Sequence, residues 1–238
     1  MSTYFLTGGT GVVGGAIAQR LLADSPGNRI RLLIRAGSDT EVTGRLEELV
    51  SSWALEASAR ARIDAVRGDT TLPRLGLEGD VYARLASECT HLVHCAAIVR
   101  MNLAIDEARE SAVGAARNLV DLARACRTTG RLEKVEVLST VGVGGRRPDP
   151  LPERWITERR EFHNTYEQAK AEAEDYLRSE LEPGFPMTVH RPSMVVGDSR
   201  SGRIARFQIF YHLAEFLSGR RTFGVFPRLG GNRLDVVP

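Results

Sequence analysis

A glycine-rich turn, 7-TGGTGVVGG-15, joins an apolar run, 3-TYFLT-7, to a helical pattern, 13-VGGAIAQRLLA-23. Gly8, Gly11 and Gly14 recur at every third residue. Lacking Cβ atoms, they permit a sharp strand-to-helix turn and close packing of the helix on the strand. The same alternation continues. Strand-like runs at 30-IRLLIR-35, 61-ARIDAVRG-68, 90-THLVHCA-96, 132-LEKVEVLS-139 and 187-MTVHR-191 are separated by stretches of near-3.6 spacing at 42–55, 103–126 and 166–181. Strands alternating with helices imply an α/β chain with a doubly wound parallel sheet covered on both faces through right-handed crossovers. Its 238 residues, 42% of them hydrophobic, suffice for one sizeable core.

A turn of this kind at the start of a βαβ unit can also hold a pyrophosphate, because the first N–H groups of the helix lack partners within it. Thr7, Gly8, Gly11, Val12, Val13 and Gly14 are the expected cradle. The second strand should end near the adenosine ribose. A carboxylate there would suit NAD, whereas this chain offers Arg35 in 34-IRAGS-38, which can meet a 2′-phosphate. NADP(H) is therefore the expected cofactor. Asp69 in 67-RGDTT-71 can accept a hydrogen bond from adenine, and Ala96 and Ala97 in 94-HCAAI-98 form a small-residue turn beside the cofactor.

The stretch 163-HNTYEQAKAEAE-174 places Tyr166 and Lys170 four residues apart, on one helical face. Asn164 or Thr165 can cap this helix, with Glu167 or Gln168 three residues on. A neighbouring ammonium favours the phenolate, so Lys170 is expected to lower the Tyr166 pKa and let the phenol act as proton donor. The same lysine can bond the nicotinamide ribose. The pattern Tyr-x-x-x-Lys also arises by chance on amphipathic helices. What strengthens it is 138-LSTVGVGG-145, which supplies Ser139 and Thr140 at a strand end, with Thr140 placed to polarise the substrate oxygen.

Other features narrow the class. Cys89, Cys95 and Cys126 are odd in number and widely spaced, which suits reduced thiols and a cytoplasmic setting. No segment approaches the roughly 20 apolar residues of a membrane-spanning helix. His91 and His94 fall on opposite faces of a strand, so no metal site is expected. Net charge is only +2, and the basic residues form no nucleic-acid module. From Ser199 onward, however, Arg200, Arg203, Arg206, Arg220, Arg221, Arg228 and Arg233 face only Glu215 and Asp235. That excess suits either an anionic partner or a solvated surface. Arg146, Arg147, Arg159 and Arg160, in the proline-interrupted segment 142–162, read the same two ways, and Trp155 there either covers substrate or packs.

These motifs together, TGGTGVVG, STVGV and YEQAK, resemble the extended short-chain dehydrogenase/reductases, whose fold is the Rossmann type. Within them the chain looks most like the thioester reductase and fatty acyl-CoA reductase branch, on the strength of 68-GDTTLPRLGL-77, 91-HLVHCAAIV-99 and above all 191-RPSMVVGDSRSG-202. The resemblance implies catalytic roles for Thr140, Tyr166 and Lys170, and cofactor contacts from Gly8, Gly11, Gly14, Arg35, Asp69, Lys170, Arg191 and Ser193. It departs at Ala169, Ala171 and Ser111, where the family often carries Ser, Trp and Asn. It also implies a Rossmann domain over residues 1–197 and, over 198–238, the start of a substrate-binding region that the family would continue.

The implied reaction is NADPH-dependent reduction of an acyl thioester, on coenzyme A or an acyl or peptidyl carrier protein, to an aldehyde and possibly an alcohol. A sugar-nucleotide epimerase or dehydratase, or a hydroxysteroid-type dehydrogenase, shares the Thr/Tyr/Lys set. A protein that binds NADP without turnover is the reading from a different class. Oligomeric state is not legible.

Overall fold

The computed structural model describes residues 1–219 and 235–238, which form two compact units, Met1–Arg191 and Pro192–Pro238. The first runs β1 (Thr3–Thr7), α1 (Val12–Asp24), β2 (Arg29–Ile34), α2 (Asp39–Ser52), α3 (Ala57–Arg60), β3 (Ile63–Arg67), α4 (Gly79–Glu88), β4 (His91–His94), α5 (Ile105–Arg109), α6 (Ala115–Thr128), β5 (Lys134–Leu138), α7 (Thr165–Glu180) and β6 (Met187–His190). The six strands are all parallel, in the order β3-β2-β1-β4-β5-β6. This is a Rossmann-type sheet. The order reverses beside β1, and in such folds the crevice at the carboxyl ends of the strands there receives the ligand.

Alternation along each strand feeds two apolar layers. Phe5 packs with Leu92, with Leu85 of α4, Leu119 and Leu122 of α6, and Leu177 of α7. Leu6, its neighbour, packs on the other face with Leu32, Ile34 and Val93, with Ala18 and Leu22 of α1 and Val42 and Val50 of α2. Each fully buried side chain of this size contributes about 1.5–3 kcal/mol. Central strands buried on both faces therefore read as continuous apolar runs.

All six sequence-predicted strands are present. The expected helix over 103–126 is instead α5 and α6 joined by a π-helical turn, Glu110–Gly114. Helix α4 is not among the expected helices; Val81, Leu85 and a half-buried Tyr82 anchor it to the core. The irregular segment after β5 is folded on itself. A 3₁₀ turn, Val141–Gly144, is followed by a small satellite core of Val143, Leu151, Ile156 and Phe162 on Ala171. Arg160 donates to the carbonyls of Val143 (2.5 Å), Glu158 (3.0 Å) and Ile156 (3.4 Å).

In the second unit β7 (Met194–Val195) pairs parallel with β8 (Val236–Val237), and α8 (Ile209–Leu217) lies between them in sequence. The 197-GDSRSG-202 stretch is a tight turn. Asp198 Oδ1 accepts from the Arg200 and Ser201 backbone N–H groups and from the Ser201 hydroxyl. Gly202 holds φ at +66°, a conformation that favours glycine. Arg200, Arg203 and Arg206 are exposed, while Arg220, Arg221, Arg228 and Arg233 lie outside the described residues.

Candidate active site

The glycine turn is built by close approach. Gly8 adopts φ +76°, and a Cβ there would come within 2.6 Å of the Ala96 nitrogen; one at Gly14 would come within 2.3 Å of the Gly8 carbonyl oxygen. Strand, turn and helix are thus packed backbone to backbone. Gly11 caps α1 without any side-chain hydrogen bond, and the first turn of the helix carries no acidic residue. The leading N–H groups of α1, at Val12 and Val13, therefore stand ready for an anion. An open cleft runs from this turn past Leu33, Arg35, Gly68 and Asp69 on one side and Cys95, Ala96 and Ala97 on the other. The donor set fits a dinucleotide pyrophosphate.

At the adenosine end, Arg35 is 73% exposed and lies 3.7 Å from Asp69, whose Oδ1 is held by the Thr71 backbone N–H (2.9 Å) and hydroxyl (2.8 Å). Arg45 donates to the Arg35 carbonyl and Arg67 to the Gly37 carbonyl, so two further guanidinium groups flank the end of β2. Thr7 is buried. Its hydroxyl bonds His94 Nδ1 at 2.8 Å and receives the Ala96 N–H at 3.3 Å, stapling the turn after β4 to β1.

A smaller cavity adjoins the cleft, and the two share Ala96, Ala97, Ile98 and Ser111 as walls. Tyr166, Lys170, His94 and Arg100 complete it. Asn164 is the residue that caps α7: its side chain accepts from the Glu167 N–H at 2.9 Å, and Glu167 in turn accepts from the His163 N–H. Thr165 donates instead to the Leu103 carbonyl at 2.8 Å. Tyr166 is thereby fixed in the first turn of α7. Lys170, one turn on, is buried and donates to the Leu138 carbonyl at 2.8 Å. Thr140 caps the 3₁₀ turn, accepting from the Gly142 N–H at 3.1 Å, which leaves its hydroxyl proton free to donate. That turn presses on α7, since a Cβ at Gly142 would lie 2.7 Å from Glu167 Cγ.

Electrostatics differ from the sequence expectation. Burial, reinforced by Glu167, pushes the Tyr166 phenol up rather than down. The expected lowering by Lys170 is not realised: its ammonium bonds the Leu138 carbonyl, and the groups acting on the phenol are its buried surroundings and Glu167. Burial also lowers Lys170 to about 8, against the opposing pull of Glu174 and Cys95. His94, fully enclosed and repelled by Lys170, is lowered to about 3 and is a neutral imidazole. Cys95 is pushed up to about 11 by burial and is no nucleophile.

Arg191, expected at the cofactor, has its guanidinium on internal partners: Glu174, at 2.5 Å from Nη2 to Oε2, and the carbonyls of Pro152 and Arg154, both at 3.0 Å. Ser193 belongs to the second unit. Arg147 and Arg160 are likewise engaged within the loop, Arg147 reaching Glu158 at 3.9 Å. A larger groove opens at the amino ends of the strands, and two of its arginines are spent internally, Arg31 on Asp64 and Glu88, and Arg62 on the carbonyls of Leu22, Ser25 and Asn28.

Sequence reading passed over His94 as a wall of the site and Glu174 altogether. A signal existed for each. Positions 166, 170 and 174 form one stripe on α7, so a carboxylate there falls among buried residues. Lys134 and Lys170 are the only two lysines of an arginine-rich chain, which marks Lys170 as a place where a compact, titratable ammonium is required.

Comparison with known proteins agrees with this geometry. Residues 6–238 match the male sterility protein family of NAD-binding domains. The chain is 32% identical over 201 residues to the isonitrile lipopeptide synthase of Streptomyces coeruleorubidus, covering 84% of this chain and 13% of that protein. It is 25% identical over 252 residues to the L-2-aminoadipate reductase of Schizosaccharomyces pombe, covering 99% and 17%. The crystal structure of the terminal R domain from the myxalamid PKS-NRPS biosynthetic pathway superposes with a TM-score of 0.73 at 31% identity, covering 86% of this chain and 52% of that one. The chain thus spans about half of that solved domain and a small part of each curated relative. It belongs to the male sterility protein family, within the thioester reductase branch of the extended short-chain dehydrogenase/reductases.

Proposed function

We propose that the protein reduces an acyl group held as a thioester, on a carrier protein or coenzyme A, with NADPH as the hydride source and an aldehyde as the product. The observation that carries this reading is the continuity of the Tyr166/Lys170 cavity with the cleft over the glycine turn, through walls shared at Ala96, Ala97, Ile98 and Ser111. A bound nicotinamide cofactor supplies hydride to the thioester carbonyl carbon. Tyr166 gives its proton to the carbonyl oxygen as the C=O electrons move onto it, and the Thr140 hydroxyl donates a hydrogen bond to that oxygen. The raised pKa keeps Tyr166 protonated at neutral pH, which suits an acid in the direction of reduction. The hemithioacetal then breaks its C–S bond, releasing the aldehyde and a thiol that takes up the hydroxyl proton.

NADPH is favoured over NADH by Arg35, exposed at the cleft, with Arg45 and Arg67 bonded to the adjoining backbone. A carrier-bound substrate is favoured because relatives are parts of synthases, the isonitrile lipopeptide synthase among them. The test is NADPH oxidation, followed by absorbance, with a panel of acyl-CoA, acyl-pantetheine and carrier-bound thioesters, NADH in parallel and products identified by mass spectrometry. Turnover of a thioester to aldehyde or alcohol supports the reading. Turnover confined to free ketones or sugar nucleotides would replace it.

A further inference from the structure

Two successive residues at the end of β5 are bonded to two residues one turn apart on α7. Leu138 accepts from Lys170, and the Ser139 hydroxyl donates to Glu174 Oε1 at 2.5 Å. The flanking positions are Thr140 on one side and Tyr166 on the other. Glu174 is 4% exposed, and its oxygens also take Arg191 Nε (3.1 and 3.2 Å) and Nη2 (2.5 Å). The remaining arm of Arg191 holds the Pro152 and Arg154 carbonyls in the loop after the 3₁₀ turn. Arg191 is delivered by β6, whose His190 carbonyl accepts the Ser139 N–H at 2.7 Å.

We infer that the Glu174–Arg191 pair is a positioning device for the active site, clamping the β5 end, α7 and the 151–156 loop so that Thr140 and Tyr166 keep their places about one carbonyl beside Lys170. A buried ion pair is a weak source of stability, because desolvation cancels most of its attraction; its value lies in fixing one arrangement of the groups it joins. Here it joins three segments that no strand or helix hydrogen bond links to one another at that point. The pair also sets the charge beside Lys170. The groups around that ammonium are Glu174 and Tyr166 from α7, His94 and Cys95 from the β4 end, and Arg100 on the cavity wall; Glu174 supplies the carboxylate.

The kinetic arm of the test rests on the reductase reading; the exchange arm does not. Glu174→Gln, Arg191→Lys and the milder Ser139→Ala are compared with wild type by hydrogen-exchange mass spectrometry, cofactor titration and steady-state kinetics. Glu174→Gln and Arg191→Lys should raise exchange at 139–145 and 151–156 at least tenfold, leaving β1 and α1 unchanged. They should lower kcat at least tenfold with cofactor Kd within twofold, and in Glu174→Gln the alkaline limb of kcat should move to lower pH. Ser139→Ala should move the same peptides less, and stays informative if the other variants do not fold. Uniform loss of protection across the sheet, or unchanged exchange and kcat, would overturn the inference. If wild type reduces no thioester, the reductase reading fails while the exchange pattern still decides the clamp.

Discussion

The ammonium of Lys170 lies 2.8 Å from the carbonyl oxygen of Leu138, so the helix bearing Tyr166 is tied to the strand end that leads into Ser139 and Thr140. That bond holds the lysine in a buried position where its charge is costly, and burial lowers its pKa to about 8.

On the proposed mechanism, Tyr166→Phe removes the proton donor and little else. Turnover should fall by about 10²–10⁴-fold, the usual worth of a positioned acid, while cofactor affinity measured by fluorescence titration stays within twofold. Wild-type turnover at saturating cofactor would assign the proton to another group.

Lys170 and His94 make stability depend on pH with a defined sign. Burial lowers Lys170 to about 8 in the folded chain, below its ordinary 10.5, so the folded state binds fewer protons between those values and stability rises with pH there. Lys170→Met should therefore stabilise the fold relative to wild type at pH 7, and the gap in Tm should close toward pH 10. His94, lowered to about 3 from 6.5, makes the fold lose stability as pH falls from about 6.5 toward 3. His94→Asn should flatten that acid slope in thermal melts.

Arg35→Asp should discriminate between cofactors. Loss of a charge-assisted contact to a 2′-phosphate costs about 1.5–3 kcal/mol, so the NADPH Kd should rise about ten- to hundredfold while that for NADH changes much less. Equal losses for both would place Arg35 outside the ribose site.

Gly14→Ala and Gly44→Ala contrast packing with propensity. A Cβ at Gly14 would sit 2.3 Å from the Gly8 carbonyl oxygen, whereas one at Gly44, within α2, has nothing within 4 Å. The first should destabilise by about 1–3 kcal/mol and weaken cofactor binding. The second should stabilise by about 0.5–1 kcal/mol. Chemical denaturation of both variants checks the pair.

Much of the site was legible because its residues are held by local geometry. The spacing of Gly8, Gly11 and Gly14 forces a turn whatever surrounds it, and the four-residue step from Tyr166 to Lys170 puts both on one face of any helix. The π turn at Glu110–Gly114, which lets Ser111 face both the cavity and the cleft, has no comparable signature, since its residues suit an ordinary helix. The internal partners of Arg191 were hidden for a related reason: nothing in the sequence says that Glu174 lies opposite it.

The α/β alternation, the six strands, the glycine turn and the pairing of Tyr166 with Lys170 were readable from the amino acids alone, because each follows from periodicity or from the sterics of neighbouring residues. Tertiary structure decided the rest. The direction of the Tyr166 shift, the neutral state of His94 and the partners of Arg191 depend on which groups are brought together from far along the chain and how completely water is removed from between them. Both are properties of packing, and charge energetics in a low-dielectric interior are set there.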